Sequence, residues 1–327
     1  MKRILVKISE RARAFATNRL TRLDPIDLIR LNEGTRSRDR FALLTYTGTN
    51  NLGDEIQSLA ALSFLPHVTN YVDREQLSNC SLKEPHKIIL NGWYSHRPSS
   101  WPPSESLRPL IVSFHASDEI FPERNNEGIS FSDRLREEDS LAYMHARSPI
   151  GTRDLHTSEL LNGLGIPAFF SGCLTLTLTQ KQAPERRRFA CVNDMDAEVS
   201  RHVRLASGLP VVRTAHSNES CKDPLERMDL ARDLLAIYAH ASFVVTSRLH
   251  CALPCLALGT PVLFCPSATD TYRFSGLNNL VRTTSRKELL SGRAPFDFRE
   301  PTPNSSDYIA LRESLIRRCN EFVHADT

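Results

Sequence analysis

The chain has 327 residues, 40% of them hydrophobic and 24% charged, with a net charge of +3, the profile of a soluble globular protein long enough for two domains of about 150 residues each. No apolar run approaches the roughly 18 residues that span a bilayer, and the N-terminal Met1–Arg13 is basic without a continuous apolar stretch, so it does not read as a secretory signal. Residues 1–40 hold 11 Lys/Arg against 5 Asp/Glu and the remainder 30 against 33, so the folded body lacks the basic surface that nucleic acids require.

In chain order, the leader sets Ile4, Leu5, Ile8, Ala12 and Phe15 among Lys2, Arg3, Lys7, Arg11 and Arg13. That pattern suits peripheral contact with an anionic membrane surface and also describes a solvated N-terminal helix, the plainer of the two readings. Residues 21–40 read as a short helix and a polar linker. Strands are predicted at Phe41–Tyr46, Val68–Val72, Lys87–Asn91, Leu110–His115, Pro149–Thr152 and Ile166–Phe170. Between them fall a helix running to about Leu65, with Ile56, Leu59, Ala60 and Leu62 toward the core, a helix over Ser132–Arg147, and one after Arg153 with a glycine stop.

The segment Thr179–Arg188 is polar, charged and contains a proline, the composition of a linker. Strands then alternate with helices again: Phe189–Asn193, Asp196–Ala206, Leu209–Thr214, Leu225–Ala241, Phe243–Thr246, Leu249–Leu258 and Pro261–Cys265, closed by a helix over Ser305–Val323. This alternation predicts an α/β protein with mainly parallel sheets in both halves. Right-handed crossovers bring the strand C-termini of each half to one edge, and two such halves face each other across a cleft. The expected division is a basic N-terminal helix and linker over 1–40, a Rossmann-like domain over 41–178, a linker over 179–188, a second Rossmann-like domain over 189–304 and a C-terminal helix over 305–327.

The eight cysteines form no C-x-x-C pair and no zinc-finger spacing. They read as free thiols in a reducing compartment, and no metal site is expected. Cys251 stands out only because His250 precedes it.

Three segments carry the candidate chemistry. Phe243–His250, F-V-V-T-S-R-L-H, ends an apolar strand in Ser247, Arg248 and His250 at the opening of a helix. In α/β sheets ligands bind at this edge. Arg248 brings a permanent cationic fork, His250 a proton that moves near neutral pH, and the helix start adds N–H groups suited to an anion. Leu249 is expected to turn inward and its neighbours outward. The bland alternative is a surface arginine and a satisfied histidine. In Gly151–Ser158, G-T-R-D-L-H-T-S, Arg153 can fork a phosphate or carboxylate, or can pair with Asp154 to brace the helix start. In Thr47–Glu55, T-G-T-N-N-L-G-D-E, the glycines are five apart and no Lys-Ser/Thr follows, so it is neither a dinucleotide fingerprint nor a P-loop. Gly48, Asn50, Asn51, Gly53 and Asp54 line a ligand there, or serve as turn, cap and helix-start residues. His115 ends another strand of the first half and Trp93 follows a further one, where an aromatic ring can stack on a sugar or pack the rim.

These segments resemble the polysaccharide pyruvyl transferase family, in the form of the bacterial exopolysaccharide ketal-pyruvate transferases. The likeness runs from about Phe41 to Pro266 and rests on the order of four features: T-G-T-N-N-L-G-D-E-I-Q-S, T-R-D-x-x-T-S, F-F-S-G-C-L-T-L-T-L and S-R-L-H-C-A-L-P-C-L-A-L-G-T-P-V-L. The resemblance implies a two-domain arrangement similar to GT-B glycosyltransferases and transfer of pyruvate from phosphoenolpyruvate to a sugar, with no further cofactor. It implies donor binding and catalysis by Arg153, Arg248 and His250 with Ser247 beside them, the donor on the second domain and the acceptor on the first. The partners it implies are phosphoenolpyruvate and a sugar acceptor, a lipid-linked oligosaccharide, and the place a cytoplasmic one, with peripheral contact at the inner face of the plasma membrane. Some members carry an acid before the linker where this chain has Gly172-Cys173, so no carboxylate acts from that position here. The competing expectations are a GT-B-like glycosyltransferase using a nucleotide sugar and a non-catalytic sugar-binding relative.

Overall fold

The computed structural model describes residues 23–122, 125–219, 221–267 and 272–325. It is α/β, with two sheets that are parallel throughout. The six-stranded sheet runs in the order β2-β1-β3-β4-β5-β6, from β1 (Arg40–Thr45), β2 (Asn70–Asp73), β3 (His86–Tyr94), β4 (Leu107–Ala116), β5 (Ile150–Thr152) and β6 (Ala168–Phe170). The four-stranded sheet runs β10-β9-β7-β8, from β7 (Ala190–Asn193), β8 (Val211–Thr214), β9 (Phe243–Thr246) and β10 (Val262–Phe264).

The central strands β1, β7 and β9 carry apolar runs, as parallel strands covered on both faces do. Every residue of β3 and β9 is buried. Around the larger sheet the core gathers Ile88, Leu90, Tyr94, Trp101, Phe114, Phe131 and Ile150. Around the smaller one it gathers Val192, Val203, Phe243, Val245 and Leu263.

Contacts group the described chain into two compact units. One takes the described residues up to Ile29, then Asn50–Ile56 and Leu178–Tyr308; the other takes Arg30–Thr49, Gln57–Thr177 and the described chain from Ile309. In the first unit, Leu52 N–H donates to the His216 carbonyl at 2.8 Å and Asn218 N–H to the Asn50 carbonyl at 2.7 Å. In the second, the closing helix Ile309–His324 is tied down by the buried Lys87, whose Nζ donates to Ala325 O at 2.5 Å and pairs with Asp39.

The helices are α1 (Leu52–Leu62), α2 (Phe131–Arg134), α3 (Glu138–His145), α4 (Leu155–Gly163), α5 (Ala197–Ser207), α6 (Pro224–His240), α7 (Leu249–Ala257), α8 (Arg286–Leu290) and α9 (Ile309–His324). The single helix expected over Ser132–Arg147 is two. A capping box between Ser130 and Asp133 starts α2 one residue earlier, and the extended backbone of Glu137 starts α3 afresh. The short helix expected within 21–40 does not form over the described residues 23–39. There Leu28 bridges to Gln180 instead, and Ile29 N–H goes to the Thr179 carbonyl at 2.7 Å, which removes that N–H from any helical ladder. The basic leader lies outside the described residues.

Between β3 and β4 the register slips: Leu90 faces Ile111 but Gly92 faces Phe114. The extra residue makes a bulge, with Ser113 at a φ of 54°, and such bulges re-aim the side chains that follow. His115 is the next residue but one.

Candidate active site

In the first unit the site is built on the C-terminal edge of β7, β8 and β9. A buried polar row crosses that edge: Asn193 Nδ2 donates to Thr214 Oγ1 at 3.1 Å, and Thr246 Oγ1 donates to Asn193 Oδ1 at 3.0 Å. Thr246 Oγ1 in turn accepts the Arg248 N–H at 2.9 Å, which fixes where the chain leaves β9. Arg248 is then the N-cap of α7 but contributes no side-chain cap. Its side chain is half exposed, and its Nε donates to Asp194 Oδ2 at 3.1 Å. Ser247 Oγ donates to the Asp194 carbonyl at 2.9 Å.

His250 is the second residue of α7 and is as buried as Leu249, at 8% against 7% exposure. The expected outward turn of its neighbours therefore holds for Arg248 and not for His250. The thiol of Cys251 is fully buried, and burial pushes its pKa well above the ordinary value, which leaves it inert as a nucleophile.

Beside Arg248 lies His216, in the loop after β8. Its backbone N–H donates to Asp194 Oδ2 at 3.0 Å, and its Nε2 is 3.1 Å from the Tyr238 hydroxyl. Burial, with the nearby Arg248 charge, lowers its pKa to about 4 against the pull of Asp194. Gly53 passes so close that a Cβ there would stand 2.7 Å from His216 Nδ1. The need for glycine at 53 is thus one of space. Asn51 Oδ1 accepts the Gly53 N–H at 3.1 Å, and Asn51 Nδ2 donates to Asp54 Oδ1 at 3.3 Å. Glu55 accepts from Arg227 Nε at 2.7 Å and from its Nη2 at 2.9 Å, both side chains being buried.

The second unit holds the other sequence-marked residues. Arg153 follows β5, is 2% exposed, and its N–H donates to the Phe114 carbonyl at 2.8 Å. Asp154 is the N-cap of α4, accepting from Thr157 N–H at 2.9 Å. Its other oxygen meets His115 Nδ1 at 2.6 Å and lies 3.6 Å from Arg153 Nε. Burial alone would raise the Asp154 pKa; His115, Arg153 and the Thr157 N–H together hold it below the usual carboxylate range. His115 is fully buried. Trp93 is buried as well, with the Arg74 guanidinium 4.7 Å from its ring centroid and His96 and Phe121 packed edge-on. Arg74 donates to Glu75 Oε1 at 2.7 Å and to the Trp93 carbonyl at 2.9 Å. Burial pushes Glu75 up, but Arg74 and His96 outweigh it and bring its pKa to about 2. Gly48 sits by the Glu75 stem. Where some relatives were expected to carry an acid, Gly172 has a φ of 74° and Cys173 is buried against the Thr175 hydroxyl at 3.2 Å.

The sequence model of the family described as polysaccharide pyruvyl transferase matches residues 51–268, two thirds of the chain. The chain belongs to the polysaccharide pyruvyl transferase family. No curated protein matches it. Among solved structures, an uncharacterized protein from Klebsiella pneumoniae subsp. pneumoniae NTUH-K2044 aligns at 14% identity over 76% of this chain and 93% of that one, with a TM-score of 0.46, too low to bear on the fold. The span matched to the pyruvyl transferase family takes in Asn51–Glu55, Arg153, Gly172-Cys173 and Ser247–His250. It also takes in Asp194, His216 and Arg227, which sequence reasoning passed over. Asp194 had a usable signal, an acid immediately after a predicted strand. His216 sits in an unpatterned loop, and Arg227 looks like any charge on a long helix. Among the described residues no cluster of three or more His, Cys, Asp or Glu could hold a metal ion, and no helix is long and apolar enough to cross a membrane.

Proposed function

We propose that this member of the family transfers pyruvate from phosphoenolpyruvate to two hydroxyls of one sugar in a polysaccharide or its lipid-linked precursor, forming a pyruvate ketal and releasing phosphate. The observation that carries the reading is Arg248. Its side chain is half exposed at the strand edge, its Nε is held by Asp194, and its Nη edge is left to fork an anion. His250 stands two residues on, in the first turn of α7, where backbone N–H groups and the helix dipole favour negative charge.

Phosphoenolpyruvate carries a phosphate and a carboxylate, so it calls for two cationic forks, and Arg153 is the second in this reading. His250 delivers a proton to C3 of the vinyl group, which becomes a methyl, while positive charge develops at C2. One sugar hydroxyl attacks C2 and gives up its proton to a base. The second hydroxyl then forms the other C2–O bond as the C2–O bond to phosphate breaks, and its proton leaves with the phosphate. Acid catalysis by a placed histidine is worth about 10²–10⁴-fold in rate. Ser247 joins the donor contacts. Gly48, Asn50, Asn51, Gly53, Asp54, Trp93 and His115 are acceptor residues in this reading. The enzyme is cytoplasmic in this reading and meets a lipid-linked acceptor at the inner face of the membrane.

The test is phosphate release from phosphoenolpyruvate with candidate lipid-linked oligosaccharides, followed by mass analysis of the acceptor. The expected gain is one pyruvic acid less one water. Turnover with nucleotide sugars and none with phosphoenolpyruvate would sink the reading. His250→Ala is expected to lose about 10²–10⁴-fold in kcat while keeping its fold; near-normal turnover would remove His250 from the acid role.

A further inference from the structure

We propose that Asp194 positions Arg248 for the donor anion, and that its negative charge moderates how tightly that anion is held. The proposal rests on the donor reading of Arg248 given above. Asp194 is the residue immediately after β7 and has a φ of 50°. A non-glycine residue rarely adopts the left-handed region, and it persists there only where its surroundings hold it. Asp is among the few side chains that tolerate it.

That conformation gathers four bonds. Asp194 Oδ2 accepts from Arg248 Nε at 3.1 Å and from the His216 N–H at 3.0 Å. Its carbonyl accepts from Ser247 Oγ at 2.9 Å, and its own N–H donates to the Thr214 carbonyl at 3.0 Å. One residue thus ties together the turns that leave three adjacent strands. The carboxylate is mostly covered, its side chain 13% exposed, whereas that of Arg248 is 49% exposed. The Nε side of the fork is therefore spent on Asp194, which leaves the Nη side for an anion.

Two effects of opposite sign follow. Removing the acceptor frees the guanidinium to wander, and holding it in place for the donor then costs conformational entropy. Removing only the charge keeps the acceptor, since an asparagine oxygen can take the same two N–H groups, and leaves the site more positive toward an anion. A residue with a merely structural role would shift stability without separating these two substitutions.

The experiment is calorimetric titration of the full chain with phosphoenolpyruvate, and separately with inorganic phosphate, for wild type and for D194N, D194A, D194G and R248A, with melting temperatures alongside. D194G is included because glycine accepts the left-handed backbone and so removes the carboxylate without backbone strain. The expected result is donor affinity about tenfold weaker in D194A and D194G, the order lost with a hydrogen bond to a charged group. D194N is expected to bind as tightly as wild type or more so. Wild-type affinity in D194G, or D194N as weak as D194A, would overturn the proposal. R248A must lose donor affinity. If it binds phosphoenolpyruvate like wild type, the donor reading of Arg248 falls and the proposal with it; if R248A weakens binding and D194G does not, only the proposal falls.

Discussion

The ring of His216 lies inside the protein with Nε2 3.1 Å from the Tyr238 hydroxyl, and burial lowers its pKa from 6.5 to about 4. The unfolded chain therefore binds a proton between those values that the folded chain refuses. Stability rises with pH through that window: the contribution is complete above about pH 6.5 and is lost as pH falls toward 4. A shift of that size corresponds to roughly 3 kcal/mol. His216→Gln removes the titration, so the difference in melting temperature between wild type and variant is expected to grow on going from pH 4 to pH 6.5; a difference that stays constant across the window would contradict it. The strand-to-helix junction that carries Arg248 and His250 is legible in the sequence, because an apolar run ending in small polar residues is a local pattern. The burial of His250 is not, because it depends on how α7 packs. Asp194 and His216 come together only when β7 and β8 pair, with Asn193 opposite Thr214, and that pairing is not written in either segment alone.

At the scale of elements, α1 departs most from its sequence pattern. Ile56, Leu59 and Ala60 are buried as the 3.6-residue period predicts, but so are Asp54, Glu55, Gln57 and Ser58. Several of these polar residues have specific partners. Ser58 donates to the Leu44 carbonyl at 2.7 Å, and Glu55 takes both forks of Arg227. Burial raises the Glu55 pKa to about 7, against the pull of Arg227. A buried pair of this kind adds little net stability while breaking it costs much, because one charge is left alone. Arg227→Ala is expected to destabilise by about 3–5 kcal/mol in urea unfolding. The double substitution Glu55→Leu with Arg227→Met should recover most of that loss, since packed apolar groups replace the pair without a stranded charge. Equal losses in the single and the double variant would argue against the ion pair as the cause. The strands show the opposite behaviour. Their apolar runs are short and local, so Phe243–Thr246 was placed to the residue, whereas α8 was missed because its five residues, Arg286–Leu290, carry too little period to read.

At the scale of the whole molecule, the path of the chain decides what can fold apart. Asn50–Ile56 is grouped with Leu178–Tyr308, and the chain from Ile309 with Gln57–Thr177. Alternation of strand and helix reveals two sheets, but it does not reveal which distant segment completes which unit, and seven residues have no period of their own. A fragment covering residues 189–327 lacks Asn50–Ile56. Its Arg227 is left without Glu55, and its His216 carbonyl and Asn218 N–H lose their backbone partners. We expect that fragment to melt broadly and at lower temperature by circular dichroism than the same region does in the full chain, and a sharp, unshifted transition would count against it.

The two tryptophans of the chain, Trp93 and Trp101, both belong to the unit built on the six-stranded sheet. Both are buried, one against Arg74 and His96 and the other among Tyr94, Phe131 and Tyr143. Indole emission is therefore an optical label confined to one unit by nature, while the unit that holds Arg248 and His250 is silent at that wavelength. Emission and backbone ellipticity recorded on the same unmodified sample would follow the two units as separate signals, and the order in which they melt could be read without introducing a probe.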